Sequence, residues 1–183
     1  MKSYPQLLCR RLGSGVLVLS ALWVGADSAR AAPLRLLAAL EPGVATLGGS
    51  NFESSWGLAG GGSAAVGLSD LLWLELHLDH KIFPALEPAL TATAWGVGLV
   101  YDIDIGPVRP FLELGLAGVA WEDGSARPPP PQVVPMLAAG ARWQLLEWLW
   151  LGVALRYYAV FQSDLRAPAY GTVNLRLGVA YGG

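Results

Sequence analysis

The sequence has one cysteine, few charges and, beyond its N-terminal region, no long apolar run. Each absence excludes something. Cys9 precedes the apolar stretch Leu12 to Val24, whereas a lipid-bearing cysteine would follow it. The chain past that point has no disulfide framework and no thiolate chemistry. Charged residues make up 14% of the chain and the net charge is −2, so there is no basic footprint for a nucleic acid. The mean hydropathy is positive. Yet no uninterrupted apolar run of about eighteen residues follows the N-terminal region, which argues against a helical membrane protein.

The first residues read as an address. Lys2, Arg10 and Arg11 give a basic start, Leu12 to Val24 an apolar core, and Ala29-Arg30-Ala31 a small-residue cleavage signal. Residues 1–31 are expected to be a cleaved signal peptide and 32–183 a single domain. The general secretory route suits this leader better than twin-arginine export, for which Arg10-Arg11 alone is weak evidence.

What is present centres on Leu71 to His80. Leu72, Leu74, Leu76 and Leu78 fall on one face of a period-2 strand, and Trp73, Glu75, His77 and Asp79 on the other. An unbroken leucine row opposite an ionisable row is the pattern of a transmembrane barrel strand, apolar outside and polar inside. A half-buried strand of a soluble protein alternates too, so the rest of the chain has to decide. Seven further strand-like segments complete a set at 35–46, 54–68, 71–81, 91–104, 108–121, 132–145, 148–161 and 169–181. Short turns at Ser69-Asp70, Ile105-Gly106-Pro107 and Leu146-Glu147 alternate with longer connections at 47–53, 82–90, 122–131 and 162–168. Short periplasmic turns alternating with long extracellular loops are the habit of outer-membrane barrels. The fold expected is all-β, an eight-stranded antiparallel up-and-down transmembrane β-barrel.

Several details are less regular. Pro42 and Pro135 interrupt the first and sixth segments and imply a bulge near each; Gly60-Gly61-Gly62 marks a bend or bulge in the second. Trp148 and Trp150 share phase with Arg156 and should point inward, either plugging the turn end or reversing phase at a bulge. A barrel of eight strands has an interior that side chains just fill, so no substrate-sized pore is expected.

Projected inward, the faces gather Glu41, Glu75, His77, Asp79, Glu113, Arg142, Arg156 and Arg176. A charge in so narrow a lumen must be paired or hydrated. The pairs expected are Glu41 with Arg176 across the barrel closure, Glu113 with Arg142 on the neighbouring strand, and Glu75 with Arg156 across the lumen. A salt-bridged internal core is the plain reading, and a narrow ion path the sharper one. Trp56, Trp95 and Phe161 belong to a loop-side aromatic belt, and Tyr101, Trp143 and Tyr181 to a turn-side one.

Catalysis would require a serine beside His77 or His80, and Ser54, Ser55 and Ser63 reach them only if the second and third segments pair. The two histidines point to opposite faces of a strand, which weakens a metal site. No cofactor is expected. Gly60-Gly61-Gly62 precedes no helix and is no phosphate cradle. Arg127-Pro128-Pro129-Pro130-Pro131 reads as a stiff loop spacer in polyproline II.

Val108-Arg109-Pro110-Phe111-Leu112-Glu113-Leu114-Gly115-Leu116, a proline-aromatic start followed by alternating glycine and apolar residues, resembles strands of the small outer-membrane β-barrel proteins, the OmpA/OmpX-like group. Asn174-Leu175-Arg176-Leu177-Gly178-Val179-Ala180-Tyr181 is similar to their closing strand. The resemblance, covering residues 35–181, implies a monomer in the outer membrane of a Gram-negative-type bacterium. It also implies membrane lipid and the barrel-assembly machinery as partners; an aromatic residue usually ends the closing strand, whereas here Gly182-Gly183 follows Tyr181. The function expected is non-enzymatic, in envelope integrity or surface interaction through extracellular loops whose partner the sequence does not name. A barrel-embedded lipid-modifying hydrolase and a soluble, secreted lipocalin-like binder of an apolar ligand are the alternatives.

Overall fold

A computed structural model describes residues 34–48, 55–84, 86, 89–122, 130–159 and 169–182. The leader and Phe161 lie outside the described residues. Nine β elements follow in order: β1 (Leu36–Leu40), β2 (Gly43–Gly48), β3 (Ser55–Gly67), β4 (Leu72–Phe83), β5 (Leu90–Asp102), β6 (Val108–Glu122), β7 (Gln132–Gln144), β8 (Leu149–Ala159) and β9 (Ala169–Tyr181). All neighbours pair antiparallel, and β1 and β2 each pair with both β3 and β9. They are two halves of one strand that closes an eight-stranded antiparallel barrel.

Pro42 divides those halves without a bulge. Leu40 pairs with Gly62 and Gly43 with Ala59, one continuous register against β3. Leu40 with Leu177 and Gly43 with Asn174 keep a continuous register against β9 too. Pro42 forfeits its own donor, but its carbonyl still accepts from Leu175 N at 2.9 Å. Pro135 likewise leaves the β6–β7 ladder in register, and it lies one residue beyond the last β7–β8 partner, Met136. Gly60-Gly61-Gly62 runs through an unbroken β3–β4 ladder. The bulges expected near Pro42 and Pro135 are therefore absent, and Gly60-Gly61-Gly62 carries none. Every described strand keeps one phase from end to end.

That constancy decides the faces. Leu76, Leu78, Val97, Leu99, Leu112, Leu114, Leu116, Leu155, Leu175 and Leu177 are all exposed, while Glu75, Glu113, Arg156 and Arg176 are buried. A soluble ligand-binding barrel would require the reverse. On the outward positions of the described strands, the ionisable groups apart from tyrosine are His80 and Glu122, both near the long-loop end. An apolar girdle whose ionisable groups other than tyrosine are confined to one rim is a lipid-facing wall. Trp56, Trp95, Tyr101, Trp143 and Tyr181 are all exposed on this outer surface. Trp150 follows its phase inward at 5% exposure, but Trp148 is 56% exposed because it lies in the turn before β8 begins.

The inner face alternates bulk with its absence. An added Cβ at Gly98 would stand 2.5 Å from Glu113 Oε1, and one at Gly140 would stand 2.5 Å from Phe111 Cζ. Each glycine opens room for the large side chain of the adjacent strand, as a narrow lumen requires.

Candidate functional site

The lumen is stacked in three layers, and their order follows from where each strand places its inward residues. At the loop end, Leu47, Phe83, Val119, Trp121, Val134 and Met136 pack into a buried apolar cluster with Tyr158 and Tyr170. Beneath it Lys81 pairs with Asp79, its neighbour on the same face of β4. Lys81 Nζ lies 4.7 Å from the ring centre of Tyr158 and 4.8 Å from that of Tyr170, and these rings stack at 4.5 Å. Tyr158 Oη donates to Asp79 Oδ2 at 2.7 Å. An ammonium held between aromatic faces and a carboxylate meets both needs of a buried cation, pairing and a polarisable surround. Tyr158→Phe should therefore cost about 1–3 kcal/mol, the cost of stripping a hydrogen bond from a buried charged acceptor. A urea unfolding midpoint equal to that of the parent would show Asp79 does not depend on the hydroxyl.

The central layer joins three carboxylates and two guanidiniums. Arg156 pairs with Glu41, with Glu75 at 2.9 Å and with Glu113 at 3.5 Å. Arg176 pairs with Glu41 at 2.8 Å and with the same Glu75 oxygen at 2.8 Å. Ser63 Oγ donates to Glu41 at 2.7 Å and accepts from Arg176 at 2.7 Å. The planar guanidinium fork suits this sharing, since each arginine reaches carboxylates on different strands at once. His77 Nδ1 stands 4.0 Å from Glu113 Oε1, and its ring meets Tyr158 edge-on at 6.2 Å.

Toward the turn end Arg142 pairs with Asp102 at 3.1 Å. Its guanidinium lies among Phe111 at 5.1 Å, Trp150 at 5.7 Å and Trp73 at 5.9 Å. Arg176 also faces Phe111 and Trp150, so these rings separate the two arginines' layers. Below this a cavity of about 950 Å³ opens at the turn end, lined by Arg35, Trp73, Asp102, Arg142, Gln144 and Trp150 among others.

The eight ionisable residues picked from sequence all point inward, but not all pair as expected. Glu41 with Arg176 and Glu75 with Arg156 are direct contacts. Glu113 with Arg142 is not: in the β6–β7 register Glu113 lies opposite Ala138, and Arg142 lies opposite Arg109, four residues nearer the turn. Arg142 takes Asp102 of β5 instead, and Glu113 turns to Arg156. Lys81 and Asp102 are further buried charged members: Lys81 continues the inward row of Glu75, His77 and Asp79, and Asp102 lies on the inward face of β5. Ser63, Tyr158 and Tyr170 complete the set.

Ser63 is the register partner of His77, yet its hydroxyl is engaged by Glu41 and Arg176, and among the described residues neither ring nitrogen of His77 has a hydrogen-bond partner. Ser55 sits at the far loop end of β3, opposite Leu47; Ser54 lies outside the described residues. His80 points outward and contacts Thr93 Oγ1 at 3.0 Å. Among the described residues no group of three or more histidine, cysteine, aspartate or glutamate side chains is placed to hold a metal ion.

Similarity to known proteins is one of shape. No protein-family model matches the chain, and no curated protein matches it in sequence. Among solved structures, Neisserial surface protein A (NspA) superposes with a TM-score of 0.64 at 17% identity, covering 82% of this chain and 97% of that one. The N-terminal β-barrel domain of Pseudomonas aeruginosa OprF gives 0.55 at 16% identity over 80% and 97%. Ail, the attachment invasion locus protein of Yersinia pestis, gives 0.55 at 10% identity over 82% and 100%. The fold is that of the small eight-stranded outer-membrane barrels. At these identities the likeness concerns architecture alone, and the lumen just described belongs to this chain.

Proposed function

We propose that this chain is a non-enzymatic protein of the bacterial outer membrane, a closed barrel that acts through its outer wall and extracellular loops in envelope integrity or surface interaction. The carrying observation is the filled lumen. Lys81 and the Arg156–Arg176 network occupy its middle, and the Phe83–Trp121–Met136 cluster occupies its loop end. A hydrophobic constriction resists water and ions, and each carboxylate of the central layer already faces an arginine. Among the described residues no serine hydroxyl is hydrogen-bonded to His77, which speaks against the lipid-hydrolase alternative. The outward leucine rows speak against the soluble binder. The attachment named for Ail is consistent with a loop-based role, though it belongs to that protein.

Planar-bilayer recording tests this reading. The purified barrel should insert without steady conductance across a broad range of applied potential. A stable, ion-selective open level would replace the structural lumen with a conducting one.

A further inference from the structure

We propose that the central layer of the lumen is completed by one proton, held between His77 and Glu113, which makes the stability of the barrel depend on pH. The first observation is a charge count. Among the described residues the lumen buries five carboxylates, Glu41, Glu75, Asp79, Asp102 and Glu113, against four cations, Lys81, Arg142, Arg156 and Arg176. Lys81 is matched by Asp79 and Arg142 by Asp102. The imbalance therefore lies in the central layer, where Glu41, Glu75 and Glu113 share Arg156 and Arg176.

Geometry shows which acid is left over. Glu41 and Glu75 each meet both guanidiniums, whereas Glu113 meets Arg156 alone among the described residues, at 3.5 Å. Neither oxygen of Glu113 and neither ring nitrogen of His77 has a hydrogen-bond partner among them. The fold has made room for these two side chains to meet. β5 separates β4, which carries His77, from β6, which carries Glu113, and its inward positions there are Gly96 and Gly98. A Cβ at Gly96 would stand 2.6 Å from His77 Nε2, and one at Gly98 2.5 Å from Glu113 Oε1. Each side chain fills the space over one of those glycines, which leaves His77 Nδ1 4.0 Å from Glu113 Oε1. A shift of about 1 Å makes this a hydrogen bond once either atom carries a proton. An uncompensated charge in so enclosed a layer is costly, and a proton taken from solvent removes it.

The charged and titratable groups facing the pair are Glu41, Glu75, Asp79 and Lys81, Arg156 and Tyr158 of β8, and Arg176 of β9. The Arg142–Asp102 pair lies toward the turns, and β3 and β7 contribute Ser63 and Ala138, which do not titrate. Tyr158 is committed to Asp79 as a donor, so the missing proton is not supplied from within.

A free glutamate and a free histidine are both deprotonated above about pH 7.5, so folding there takes up one proton. The folded state binds the extra proton, and the folding constant therefore drops about tenfold per pH unit until the pair releases it. Urea unfolding from lipid vesicles, from about pH 7.5 to about pH 9.5, reads that slope. Glu113→Gln balances the layer without a proton, so the parent's slope should exceed that of the variant by about tenfold per pH unit. Contributions from His80, Lys81 and the remaining groups are common to both proteins and cancel. His77→Gln keeps the acid but removes its nearest base, and should move the fall to lower pH. Parallel slopes for the parent and Glu113→Gln would show Glu113 ionised throughout and overturn the proposal. Should Glu113→Gln give no folded barrel, His77→Gln decides, and a pH profile identical to the parent's overturns it.

Discussion

Arg156→Ala is expected to destabilise the barrel more than any other single change in the lumen, by at least about 3–5 kcal/mol. The figure is the usual cost of removing one partner of a buried ion pair and leaving the other unpaired. Arg156 exceeds the ordinary case because its guanidinium meets Glu41, Glu75 and Glu113 at once. Arg176 can keep Glu41 and Glu75 partly satisfied, but Glu113 loses its only arginine contact among the described residues. The change should therefore be partly rescued by Glu113→Gln, which removes the stranded charge while keeping its volume. Glu41→Ala should also be severe, since it releases both arginines, but each of them retains Glu75. Urea unfolding from lipid vesicles reads this order directly. A midpoint for Arg156→Ala within error of the parent would mean that water, not arginine, neutralises the three acids.

Leu155→Arg carries the second large effect, and it tests the faces rather than the lumen. Leu155 is exposed and lies midway along β8, far from either rim. On the surface of a soluble protein the change would be nearly neutral. On a lipid-facing wall an arginine near the bilayer midplane costs about 2–4 kcal/mol, falling to about 0–1 kcal/mol near the interface. Tyr181→Arg, at the turn-end rim, should therefore be mild. The contrast between the two positions matters more than either value. Equal, small shifts at both would place water where the hydrocarbon should be.

How much of this was legible in the sequence depended on which physical feature encoded each part. Side-chain direction follows from period-2 alternation, so Leu72 to His80 disclosed both faces of β4 and which way the barrel turns them. The short and long connections disclosed the strand number. Register was not encoded so locally. The turn at Gly106-Pro107 makes β5 and β6 neighbours, but nothing in the chain says that Arg142 aligns with Arg109 rather than with Glu113. That offset sent Arg142 to Asp102 and Glu113 to Arg156. Lys81 was within reach: one more step along Glu75, His77 and Asp79 arrives at it, but the ammonium sits at the end of a strand where side chains usually meet solvent. Only the stacked Tyr158 and Tyr170, supplied by two distant strands, explain its burial. Pro42, Pro135 and Gly60 to Gly62 misled for a related reason. Their local preference is for irregular backbone, and the ladders beside them, on both sides of Pro42 and Gly60 to Gly62 and on the β6 side of Pro135, override it. Trp148 failed on a boundary, because the alternation was extended one residue into a turn.

The central claim is a closed barrel in the outer membrane with its charges inside. It is tested most directly by separating inner and outer membranes and comparing the extracted protein's gel mobility before and after boiling. A band confined to the outer-membrane fraction and shifted by boiling is the predicted result, because a closed ladder of strands resists detergent until heat opens it. A band in the soluble fraction, with mobility indifferent to heat, would contradict the account and turn every assigned face inside out.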